Sequence, residues 1–132
     1  MIYEINVPTS QQVQLKEISY DIQQQVTKSG IKEGLATLFV PHTTAAVTIN
    51  ENADPDVAID MVNGLNKLNP FRDNYRHQEG NSAAHIKSSL IGASEQIIIR
   101  DGKLLLGTWQ GIYFCEFDGP RTRKLQLKLV AG

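Results

Sequence analysis

His42, His77 and His85 are the only histidines of the chain. Three imidazoles that leave one coordination position open are a known catalytic metal arrangement. Imidazole ligands suit zinc, whereas carboxylates and phosphate oxygens suit magnesium, so these residue types predict a divalent metal, zinc or magnesium. The spacing itself matches no short ligand pattern, because Gly80 interrupts the segment between His77 and His85. The ordinary alternative for each histidine is a loop residue or a satisfied donor.

Carboxylates and guanidinium groups add a second set of candidates. Ala45, Val47 and Ile49 share one strand phase, which Glu51 continues if the chain stays extended for one more residue. A carboxylate ending a core-facing row is desolvated, a setting for acid/base work or for holding a cation. If the strand bends at Asn50, Glu51 points to water instead. Asp54 reads as a helix N-cap that can still face a cleft, and Asp56 as a first-turn residue favoured by the helix dipole. Arg123 lies in phase with Leu125, Leu127 and Leu129, and Arg121 joins that row if the strand extends back through Thr122. Such a pair can hold a phosphate bidentately, or pair with a carboxylate of its own chain such as Glu116. The segment Gly107-Thr108-Trp109-Gln110-Gly111 lacks the Lys and following helix of a phosphate loop, and its glycines predict a bulge or close backbone approach. Trp109 is expected as a core or subunit-contact anchor, and Cys115 as an inert buried thiol.

The elements that must position these residues follow from caps and apolar phase. Residues 2–7 and 12–17 read as strands, and Ser19 as the cap of a helix that carries Ile22 and Val26 and stops at Gly30. LATLFV (35–40) is too apolar for a half-exposed strand, and TTAAVTIN (43–50) follows it. Asp54-Pro55 starts a helix over 55–68, and a shorter one spans 82–91. EQIIIR, an Asp101-Gly102 hairpin signal, KLLLG, WQGIYFCEF and TRKLQLKLV complete a β-rich C-terminal half. Both faces of 109–117 are apolar, which predicts a central strand covered on each side. The expected fold class is α+β with largely antiparallel sheets, one domain over 1–132.

Thirteen Lys and Arg against fourteen Asp and Glu leave a formal charge of -1, without the basic excess that nucleic-acid binding needs. Nucleic acid and membrane are not expected partners. A single cysteine and an N-terminus lacking signal-peptide character predict a cytoplasmic location.

The blocks HTTAAVTINENADPDV (42–57), YRHQEGNSAAHIKSSLIG (75–92) and GTWQGIYFCEFDGPRTR (107–123), with the strand after them, resemble the signature of the YjbQ-like family, whose usual label is secondary thiamine-phosphate synthase enzyme. The resemblance implies β-sandwich-like sheets flanked by helices and a homotrimer. It also implies that His42, Glu51, Asn52, Asp54, His77, Asn81, His85, Gln110 and Arg123 gather near one pocket. The implied activity is that of a transferase acting on phosphorylated small molecules: a thiazole phosphate displaces pyrophosphate from hydroxymethylpyrimidine diphosphate. On that reading Glu51, Asp54 and His42 are catalytic; Asn52, Asn81, Gln110, Arg121 and Arg123 bind substrate; His42, His77 and His85 bind metal. The alternatives are a metal-dependent enzyme of another reaction, such as hydrolysis, and a non-catalytic trimeric ligand-binding protein.

Overall fold

In the computed structural model, which describes residues 1–132, the chain runs β1 (Ile2–Pro8), β2 (Gln14–Glu17), α1 (Ser19–Ser29), β3 (Glu33–Phe39), β4 (Ala45–Glu51), α2 (Pro55–Leu68), α3 (Ser82–Ile91), β5 (Ser94–Arg100), β6 (Lys103–Leu104), β7 (Gln110–Glu116) and β8 (Thr122–Ala131). The strands form a five-stranded sheet, ordered β1-β8-β3-β5-β6, and a three-stranded sheet, ordered β2-β7-β4. Every pairing is antiparallel. The α+β architecture expected from sequence is therefore the observed one.

Period-two patterning puts the main core between the sheets. Leu38, Ile99, Leu125 and Leu127 on one side meet Val47, Ile112 and Phe114 on the other, and Ile22 and Val26 of α1 join them. The opposite face of the small sheet buries Tyr113, Cys115 and Phe117 against Ala84 of α3, with Ala58 and Leu65 of α2 at the margin. Both faces of β7 are thus covered, and the middle strand of the small sheet is the one whose two faces read as apolar. Full burial of each Leu, Ile or Phe contributes roughly 1.5–3 kcal/mol, so the two layers need no metal to cohere. Cys115 is buried, and burial pushes its thiol up to about 12, which makes it inert.

Helices α2 and α3 occupy the expected residues, and Asp54 caps α2 by accepting from the Asp56 amide at 2.9 Å. Ser19 is a different case: Ile18 takes the N-cap position of α1, and Ser19 Oγ accepts from the Ile112 amide instead, tying the helix to β7. Lys87 of α3 is buried and donates to Asn66 Oδ1, which links α3 to α2; desolvation lowers its pKa.

Two further expectations need correction. Strand β3 alternates, leaving Leu35 and Phe39 exposed. Apolar residues on both faces do not guarantee cover on both: Leu35 sits opposite Ile98 and Val130, and all three lie on the outer face of the large sheet. Trp109 falls just before β7 and is 63% exposed, so within one chain it anchors no core. The glycine beside it does mark a close approach, since a Cβ on Gly111 would stand 2.5 Å from Asn52 Nδ2.

Candidate functional site

The ends of β3, β7 and α3 meet around a cleft of about 780 Å³ whose walls include His42, His77, His85, Asn81, Arg121 and Arg123. Each side chain arrives there for a local reason. Pairing of β3 with β8 stops at Phe39 opposite Gln126. Continued in register, the next ladder position on that side would set Pro41 against Lys124, and the chain turns away there. His42 takes the vacant place: its Nε2 accepts the Lys124 amide at 2.9 Å. An acceptor nitrogen is unprotonated, so the neutral imidazole carries its proton on Nδ1. Partial burial, reinforced by the nearby Arg123 charge, lowers the His42 pKa and keeps the ring neutral.

Arg123 occupies the buried phase of β8 and is 2% exposed. A charge in that position must be paired. Its Nε donates to both Glu116 oxygens at 2.9 and 3.0 Å; its Nη2 donates to Glu116 and to the carbonyl and Oγ1 of Thr44. Burial alone would raise the Glu116 carboxyl, but hydrogen bonds from Arg123, the Asp118 amide and Thr9 bring it below the usual carboxylate value. The bidentate phosphate grip expected of Arg123 is therefore spent on Glu116 and Thr44. Only Nη1 is left, without a protein partner and not sealed from solvent.

Arg121 is half exposed and donates to the carbonyl and carboxylate of Asp118 at 3.0 and 3.3 Å. Asp118 also accepts from Asn81 Nδ2 at 2.9 Å, so Asn81 does not use its side chain to cap α3. That leaves Asn81 Oδ1 buried with no donor. Asp118 escaped the sequence reading, although the Asp-Gly-Pro turn directly after the central strand and before Arg121 marks where it stands.

His85 lies one helical turn beyond Asn81, and its ring meets that of His77 edge-on with centroids 5.5 Å apart. Two imidazoles bound to one tetrahedral zinc at about 2 Å would place their ring centres roughly 5 Å apart. The same separation is that of an ordinary edge-to-face ring contact. No group of three His, Cys, Asp or Glu side chains stands close enough together to hold one. His42 shares the cleft, but the lone pair it would offer a metal is given to the Lys124 amide.

The remaining candidates sit elsewhere. Thr44, just before β4, lines the cleft, whereas Glu51 ends that strand. Seven extended steps separate them, about 23 Å. Glu51 is half-buried and pairs with Gln110 in the ladder; Asn52 Nδ2 donates to Glu17, and Gln110 Oε1 accepts the Gly107 amide. With Asp54 occupied as a cap, Asn52, Asp54 and Gln110 organise local structure at the far end of the small sheet, and within one chain none of the four joins the histidines.

The whole chain bears the same likeness. Residues 3–132 match the family model described as UPF0047 protein YjbQ-like. The UPF0047 protein MJ1081 of Methanocaldococcus jannaschii is 52% identical over 130 residues, covering 98% of this chain and 94% of that protein. A crystal structure of an uncharacterized conserved protein of the YjbQ/UPF0047 family from Clostridium acetobutylicum is 54% identical, covers 97% of this chain and 99% of the other, and superposes with a TM-score of 0.95. A Sulfolobus solfataricus structure, described as a YbjQ-like protein of unknown function, is 32% identical over 100% of this chain and 97% of its own, also with a TM-score of 0.95. None of these names carries a reaction, and one disclaims it. The thiamine-phosphate synthase activity expected from the resemblance is corrected accordingly: the relatives give it no support. What fold, length and identity do establish together is that the chain belongs to the YjbQ-like UPF0047 family.

Proposed function

We propose that the cleft binds a small phosphorylated molecule together with a divalent cation, zinc or magnesium, held between His77 and His85. The observation that carries this reading is the convergence of all three histidines and two arginines on one polar cleft. Imidazole pairs favour zinc, and the 5.5 Å ring separation suits a shared ion. Asn81 Oδ1, a buried acceptor without a donor, also favours a cation or a donor-bearing ligand on that wall. A cation held by His77 and His85 would share the cleft with Arg121 and Arg123, a combination that suits phosphoryl oxygens.

We further propose that the protein is a cytoplasmic homotrimer. Support for self-association is the apolar row Val130, Leu35 and Ile98, which crosses three neighbouring strands and is 49%, 38% and 55% exposed. Calorimetric titration with zinc and with inorganic phosphate tests the site. The expected result is one zinc per chain, weakened at least about tenfold in His85→Ala, and phosphate bound at the same site. A protein that takes up neither ion sinks the reading. Light scattering should give three times the chain mass.

A further inference from the structure

The inner wall of the cleft carries two donors that the fold orients and leaves unused. His42 Nε2 is held by the Lys124 amide, so its Nδ1–H has no partner within the chain. Arg123 is held by Glu116 and Thr44, so its Nη1 has none either. The two anchors interlock. His42 takes its bond from the residue after Arg123, and Arg123 gives its bonds to a residue two positions after His42. Both donors are thereby fixed on the same few atoms of β8 and the loop before β4.

Resting on the ligand-site reading above, we propose that His42 Nδ1–H and Arg123 Nη1 form the phosphoryl subsite of the cleft, with His42 as an orientation-locked neutral donor and cation binding left to His77 and His85. A neutral imidazole has one lone pair, and here it is engaged; a metal at Nδ1 would have to displace the proton that this hydrogen bond puts there. A donor next to a guanidinium is what a phosphoryl oxygen needs, and two groups already held in place give up little freedom when it binds. The neighbouring positive charge of Arg123 also disfavours a cation at His42. Glu116, Asp118 and Glu79 do not cancel the pair: Glu116 is already the counter-ion of Arg123, Asp118 is engaged by Arg121 and Asn81, and Glu79 stands beside His77.

Titration of zinc and of inorganic phosphate into wild type, His42→Ala and His42→Asn separates the roles. His42→Ala should weaken phosphate about tenfold, the usual effect of one hydrogen bond to a charged group, and leave zinc affinity within about twofold. His42→Asn, whose amide N–H stands near the Nδ1 position, should recover most of the phosphate affinity. Nitrogen-15 spectra of the imidazoles should show His42 protonated at Nδ1 before and after zinc is added. Zinc lost in His42→Ala, a zinc-induced shift of a His42 nitrogen to a metal-bound value, a proton found on Nε2, or equal phosphate affinity in wild type and His42→Ala each overturns the subsite while the cleft reading stands. Wild type that binds no phosphate overturns both.

Discussion

The two ends of β4 carry residues of equal chemical promise and treat them differently. At the end bearing Glu51, Asn52, Asp54 and Gln110, the amides and the cap each bond through one side-chain atom, to nearby backbone or to Glu17, and sit exposed to water. At the other end, Arg123, His42 and Asn81 each make the bonds the fold requires and keep one polar atom in reserve. Composition does not distinguish these ends. What distinguishes them is burial: Arg123 and Asn81 Oδ1 are withdrawn from water and His42 partly so, whereas Asn52, Asp54 and Gln110 stand in it.

The largest expected effect lies in the buried pair. Arg123→Met should cost about 3–5 kcal/mol in chemical denaturation, because Glu116 is left charged and alone in the interior. A loss below about 1 kcal/mol would mean that water reaches Glu116, and the contrast between a sealed wall and an open donor would fail. His85→Ala should lower zinc affinity at least about tenfold while moving stability by less than about 0.5 kcal/mol, as its ring is only partly buried and the core lies elsewhere. Asp54→Ala should destabilise by about 1 kcal/mol through loss of the α2 cap, with zinc and phosphate affinities unchanged. Any change in ligand affinity there would show that the two ends act together.

Acidification supplies a smaller test. Folding holds the His42 imidazole below its usual value of 6.5, so the unfolded chain takes up the proton first as pH falls. The stability contributed by neutral His42 is complete above about 6.5 and is lost as pH drops through the folded value. Denaturation midpoints measured from pH 7.5 downward should fall more gently in His42→Asn than in wild type; parallel curves would show that His42 is not held neutral. Glu51→Gln should produce the smallest effect, leaving zinc and phosphate affinities of the isolated chain unchanged.

Much of the fold was legible in the residues themselves. The Asp54-Pro55 cap, the alternation of Leu125, Leu127 and Leu129, and the two apolar faces of β7 each report a local rule, so helix limits and strand phase follow without knowing what packs against them. Phase likewise put Arg123 in the core and named Glu116 as its ordinary partner. Sequence alone also gathered the three histidines as candidates, but could not say which imidazole nitrogen is free, because that depends on an amide 82 residues away. The family resemblance implied that Glu51 stands beside the histidines, and Glu51 shares a signature block with His42. Only the tertiary structure separates them, since a strand that stays straight carries its ends about 20 Å apart, however close they lie in sequence.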